Sequence, residues 1–167
     1  MRQDIQTLET WVTRMCDLQA HGGPDDSGIY SSEENHIVLG NRRLALLDLS
    51  NAGHQPMQYE DRYWITYNGE LYNFRELRNT LKEFGYEFHN NTDTEVILAA
   101  YSRWGTQSFA KLQGMFAFAI WDNAEKELVL ARDAVGIKPL YYTREDNGIA
   151  FASETRALNS LPGIGAS

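Results

Sequence analysis

Three short stretches of the chain carry residue types and spacings that could bind and polarise a small ligand. Gly40-Asn41-Arg42-Arg43-Leu44 sets two arginines in an otherwise apolar strand region. A guanidinium there can grip a carboxylate through two parallel hydrogen bonds, although two surface arginines would satisfy the same pattern. Tyr67-Asn68-Gly69-Glu70 also admits two readings. Asn-Gly between extended segments fits a plain hairpin turn. Alternatively, the Asn68 amide and the next backbone N–H could face a developing oxyanion, with Gly69 allowing close approach. Asp93 stands at the start of a helical pattern, where Thr92 or Asp93 would serve as the N-cap. An unpaired carboxylate at that point could instead hold an ammonium group. On spacing alone the structural role is the simpler reading of each.

Other familiar chemistry is missing from the pattern. His21, His36, His54 and His89 lie far apart, and no Cys/His spacing resembles a zinc site. There is no Gly-x-x-x-x-Gly-Lys phosphate loop and no dinucleotide fingerprint, so neither a metal nor a cofactor is expected. His21-Gly22-Gly23-Pro24-Asp25 is glycine-rich but precedes a strand, which makes it a turn rather than an anion nest. Cys16 is the only cysteine, which excludes an internal disulfide. The formal net charge of -8 offers no basic stripe for nucleic acid. No apolar run reaches membrane-span length and no signal peptide opens the chain, so a cytoplasmic location is the default expectation.

The elements that must position these residues follow from periodicity. With 167 residues and a hydrophobic fraction of 43%, one domain over 1–167 is expected. Ile5, Leu8, Trp11, Val12, Met15 and Leu18 predict an amphipathic helix over 4–20. Strands are expected near 28–31, 36–41, 43–48 and 63–67, the last running into Asn68-Gly69. A helix over 74–84 is followed by one over 93–104, where Thr92-Asp93-Thr94-Glu95 has the form of a capping box. Met115–Trp121 is apolar on both faces, as a strand sandwiched between layers would be. It turns at 122–127 into a strand at 128–131. Residues 140–142 and 149–151 form a second hairpin, and a short helix starts near Ser153. The fold class is α+β, with helices on antiparallel sheets.

The order and neighbourhood of these motifs closely resemble the glutaminase domain of asparagine synthetase, a class II glutamine amidotransferase. The stretches that carry the likeness include His21–Gly28, Arg42-Arg43-Leu44, Gln55-Pro56-Met57, Tyr67–Asn73, Thr92–Leu98, Gly114–Asp122, Ala131-Arg132-Asp133, Gly136–Tyr142 and Phe151–Glu154. The resemblance implies an N-terminal-nucleophile hydrolase fold, a four-layer αββα sandwich. It implies L-glutamine as ligand, with Arg43 on its α-carboxylate and Asp93 on its α-amino group. Asn68 and Gly69 would form the oxyanion hole, with Glu70 beside the substrate. An ATP-dependent synthetase domain or subunit would receive the ammonia.

The resemblance also implies a cysteine nucleophile at the first position of the mature chain, whose α-amine serves as its base. Its thiolate attacks the glutamine amide, ammonia leaves, and water releases glutamate from the thioester. Here Met1-Arg2-Gln3 already adjoins the first helix, so the cysteine and the first strand have no counterpart. Cys16 is expected on the rim of that helix's apolar stripe as a half-buried structural thiol. Gly22 also replaces the arginine of the family pattern. Two functions follow as expectations. One is a glutaminase domain that hydrolyses glutamine in a complete form and is inactive as it stands. The other is a degenerate module with a structural or amino-acid-sensing role for a synthetase partner. An open sheet edge left by the missing strand is expected to favour a homodimer.

Overall fold

A computed structural model describes residues 3–43, 53–145 and 148–164. Helix α1 spans Ile5–Leu18, and the Asp4 carboxylate caps it by accepting from Thr7 N–H at 2.8 Å. Strands β1 (Asp26–Ser32) and β2 (Ile37–Arg43) form an antiparallel pair in which Asp26 lies opposite Arg43. The strand expected at 43–48 falls on residues 44–50, which lie outside the described part; β2 itself ends at Arg43.

A second sheet has the antiparallel order β3-β4-β5-β6. Its members are β3 (Met57–Tyr59), β4 (Tyr63–Leu71), β5 (Gly114–Asp122) and β6 (Glu127–Arg132). One face packs under α2 (Phe74–Glu83) and α3 (Asp93–Trp104). The main core fills that interface, where Ile65, Leu71, Leu81, Val96, Ile97, Leu98, Phe118 and Ile120 are essentially inaccessible. Residues 116–122 of β5 are all buried, so the strand is covered on both faces as its continuous apolar run requires. The hairpin β7 (Tyr141–Glu145) and β8 (Gly148–Ala152) carries the short helix α4 (Thr155–Leu158). Ala152, Ala157, Leu158 and Leu161 form a smaller cluster with Met15 of α1.

Three expectations are corrected. Asn68-Gly69 is not a hairpin turn: β4 runs unbroken from Tyr63 to Leu71, with Asn68 opposite Ala117 and Gly69 opposite Phe116. The capping box is only half formed. Thr92 Oγ1 accepts from Glu95 N–H at 3.3 Å, but the Glu95 carboxylate reaches past Thr92 to the N–H groups of His89 (2.9 Å) and Asn90 (3.0 Å). Cys16 is not on the rim. Its thiol is buried against Gly40 of β2, where an added Cβ would stand 2.5 Å from Sγ.

The stretch after β6 is held by two side chains, the exposed Arg132 and the buried Asp133. Arg132 donates Nε to the carbonyl of Lys138 and Nη2 to that of Gly136, both at 2.6 Å. The buried Asp133 carboxylate accepts from the N–H groups of Phe116, Val135, Ile137 and Lys138. Burial pushes this carboxyl up, but the N–H donors of Ile137, Lys138 and Phe116 outweigh it and hold it at about 2, below its ordinary 3.8.

Because that value is depressed on folding, the carboxylate's contribution is complete above pH 3.8 and is lost as pH falls through about 2. The urea midpoint of Asp133→Asn is expected to lie below wild type at neutral pH, with the gap closing as pH falls toward about 2; a gap independent of pH would contradict the assignment. For the core, Ile120→Ala in β5 is expected to cost about 2–5 kcal/mol in urea unfolding.

Candidate functional site

The candidate site lies where β2 meets β4, and strand parity decides which side chains face it. On β2, Leu39, Asn41 and Arg43 share one face, while Gly40 and Arg42 share the other. Arg42 is committed to α1: its Nε donates to the Cys16 carbonyl at 3.2 Å and its Nη2 pairs with Asp17 at 2.7 Å. Arg43 therefore turns toward β4. On β4, Trp64, Thr66, Asn68 and Glu70 face β2. Trp64 stacks on Tyr30 of β1 with ring centroids 3.9 Å apart, and Asn41 Nδ2 donates to Thr66 Oγ1 at 2.9 Å. The same alternation puts Asn68, exposed, and Glu70, half-buried, on the β2-facing side of β4.

The backbone of β4 is as informative as its side chains. In an antiparallel pair, opposed residues alternate between hydrogen-bonded and non-hydrogen-bonded positions. Phe116 N–H donates to Asp133 on the far edge of β5, at 3.1 Å. Its partner Gly69 thus occupies a non-hydrogen-bonded position, with its own N–H directed away from β5. Tyr67 and Leu71 share this orientation, and both N–H groups are taken. Tyr67 N–H donates to Gln55 Oε1 at 2.6 Å, and Leu71 N–H donates to Asp93 Oδ2 at 2.9 Å. The N–H of Gly69 lies between these acceptors, on the edge that β3 leaves when it ends its pairing at Ile65. Only glycine fits: with φ at +156°, an added Cβ would stand 2.2 Å from the Met115 carbonyl oxygen.

Asp93 is not the unpaired carboxylate that spacing suggested. Oδ2 accepts from the Tyr67 hydroxyl at 2.8 Å as well as from Leu71 N–H. Thr92 does the capping, which releases Asp93 to join the helix to the strand. Tyr67 is correspondingly hard to ionise, chiefly through burial and then through the neighbouring Asp93 charge. Asn68, Gly69 and Glu70 are thus bracketed by residues that Asp93 grips at both ends.

Arg43 is tied in from the opposite side. Its guanidinium packs on Gly53, where an added Cβ would come within 2.2 Å of Nη2. Two residues on, Gln55 accepts from both Tyr67 N–H and Asn41 Nδ2, the latter at 3.3 Å. Cys16 stands apart from all of this. Its thiol is pushed up to about 11, mainly by burial, with Arg42 opposing the shift. A nucleophilic cysteine needs the opposite environment.

The sequence profile of the glutamine amidotransferase domain matches residues 2–167. The chain belongs to this family. It is 46% identical over 151 residues to asparagine synthetase (glutamine-hydrolysing) 1 of Bacillus subtilis, covering 90% of this chain and 23% of that protein. It is 42% identical to asparagine synthetase (glutamine-hydrolysing) 3 of the same organism, covering 98% of this chain and 26% of that one. The chain therefore spans about a quarter of the length of these relatives. Among solved structures it resembles the glutamine phosphoribosylpyrophosphate amidotransferase of B. subtilis complexed with ADP and GMP, with a TM-score of 0.61 and 26% identity over 73% of this chain and 28% of that one. That likeness supports an amidotransferase fold of mixed helices and antiparallel sheets.

Within this amidotransferase domain, the family resemblance picks out Arg43, Asn68, Gly69, Glu70 and Asp93 but gives Asn41, Gln55, Thr66 and the Tyr67 hydroxyl no role. Gln55-Pro56-Met57 is visible as a motif, yet its carboxamide cannot be connected to Tyr67 without the fold. Gly69→Ala is expected to destabilise the domain by about 1–3 kcal/mol through overpacking against β5. Asn68→Ala, at an exposed position, is expected to stay within about 0.5 kcal/mol of wild type. Equal losses in urea unfolding would show that Gly69 is not needed for close approach.

Proposed function

We propose that the chain binds L-glutamine between β2 and β4 and, in a complete form, presents its side-chain amide for hydrolysis to glutamate and ammonia. The observation that carries this reading is the Gly69 N–H, directed by the β4 alternation to a strand edge where no acceptor stands among the described residues, between two neighbours whose N–H groups are held. A backbone donor fixed in that way costs no reorganisation when charge develops on a carbonyl oxygen. The Asn68 side chain is the second donor. Arg43 supplies the bidentate fork for the α-carboxylate. Asp93 supplies negative charge for the α-amino group, and Glu70 lies beside the ligand. The four-layer αββα arrangement is part of the same proposal. It is supported by α1 and α4 against the two hairpins, and by α3 against the other sheet with α2 packed on α3. An ATP-dependent synthetase domain, as in the longer relatives, would consume the ammonia.

Cys16 is buried, and burial pushes its thiol up, which argues against it as the group that attacks the amide.

L-Glutamine at about 100 times its Kd is expected to stabilise the protein by about 2.7 kcal/mol, read as a rise in Tm. Arg43→Ala should abolish the rise and Cys16→Ser should retain it. No glutamine-dependent shift in wild type would sink the binding reading. Ammonia release that depends on Cys16 would sink the assignment of that thiol as inert.

A further inference from the structure

The residues that would hold the two ends of the ligand belong to different layers, and one short segment touches Arg43 at one end and, through Tyr67 N–H, the strand that carries the other. Gly53 packs on the Arg43 guanidinium so closely that a methyl group there would stand 2.2 Å from Nη2, 2.5 Å from Cζ and 2.9 Å from Nη1. Gln55, buried, accepts from Tyr67 N–H at 2.6 Å, one residue before Asn68. Between them, His54 Nδ1 lies 2.8 Å from Asp26 Oδ2, and Asp26 is the residue opposite Arg43 in the β1–β2 ladder. Gly28 of β1 lets the segment lie flat, since an added Cβ there would meet the Gln55 carbonyl at 2.1 Å and His54 Nε2 at 2.8 Å. Asn41 closes the circuit. It stands two residues before Arg43 and donates to both Gln55 Oε1 and Thr66 Oγ1, at 3.3 and 2.9 Å.

We propose that Gly53, His54 and Gln55 act as a ruler: they fix the separation between Arg43 and the Gly69 N–H, and so set the length of amino acid that the site accepts. This rests on the glutamine reading above. A ligand anchored by its carboxylate at Arg43 places its amide carbonyl on the Gly69 N–H only if its carbon chain spans that separation. Each contact in the segment opposes a change in it. Gly53, lacking a side chain, leaves the place where the guanidinium lies, and a methyl group there would displace it. Gln55 ties the segment to β4 through Tyr67 N–H. His54 ties the segment to the strand that carries Asp26. Gly53 and Gln55 are positioning residues; neither has to touch the ligand. A misplacement of about 1 Å at such a remove is enough to cost about 100-fold in a reaction that depends on alignment.

The test is calorimetric titration of the full-length protein with L-glutamine and with L-asparagine, one methylene shorter. A single methylene is worth roughly 10- to 200-fold in a fitted pocket, and wild type is expected to prefer glutamine by that margin. Gly53→Ala and Gln55→Met are expected to weaken glutamine at least tenfold and asparagine much less, so that the preference narrows. Gln55→Glu keeps the Oε1 acceptor and should keep both the affinity and the preference. Wild-type affinities for Gly53→Ala and Gln55→Met would overturn the ruler. So would an equal loss for both ligands, which would mark a merely structural role. If Gln55→Met does not fold, Gly53→Ala alone decides. A wild type that binds neither amino acid would overturn the underlying glutamine reading, and with it the ruler.

Discussion

The direction of a single peptide N–H, that of Gly69, is the constraint on which the rest of the site depends. A strand cannot choose which way one amide points without choosing for every second residue along its length. On β4 the choice is made remotely. Asp133 takes the Phe116 N–H to the far edge of β5, leaving Gly69 across from a residue that has nothing to exchange with it. The same carboxylate organises the loop after β6 through three further N–H groups. The Asp133 bond fits the phase of the β4–β5 ladder that, in the proposed site, turns one backbone donor toward the ligand.

Holding β2 over β4 is a separate problem, solved by polar atoms rather than by apolar packing. Asn41, Gln55 and Thr66 are all buried, so each carries a desolvation cost that only completed hydrogen bonds offset. The bonds are completed: Thr66 Oγ1 donates to the Gly40 carbonyl at 3.0 Å while accepting from Asn41, and Gln55 Oε1 accepts twice. Apolar side chains of the same volume would fill the space and tolerate sliding. A directional network fixes one lateral offset between the layers, which a site divided between them requires.

Much of this architecture is legible in the residues alone. Element types along most of the chain follow from periodicity, and the doubly apolar run at 115–121 correctly indicates a strand covered on both faces. Arg42-Arg43 and Asp93 are visible as candidate partners for a carboxylate and an ammonium, but spacing alone favours a structural role for each, and Arg43 is chosen only through the family resemblance. What spacing does not supply is parity. Nothing in Arg42-Arg43 says which guanidinium turns to α1 and which to β4; the answer depends on Cys16 and Asp17 lying behind β2. Asn68-Gly69 misleads for a related reason. Asn-Gly is a strong turn signal, but here the glycine serves close strand approach, a demand that emerges only when Met115 and Phe116 are placed opposite. Gln55 is hidden because its partner is a backbone N–H, which no sequence displays.

Asp93 shows how one side chain can serve both architecture and chemistry. Its two described bonds fall on the same oxygen, Oδ2, one from a phenol and one from a backbone amide. Such bonds fix the position of the carboxylate, so in the proposed site an arriving ammonium meets a held anion rather than a mobile side chain. The start of α3 adds its own partial positive charge, which favours an anion at that place. Leu71 N–H lies two residues beyond Gly69 on the same edge, so in the proposed site Asp93 and the proposed oxyanion donor are held by one short run of a single strand, which would join amine recognition to amide polarisation.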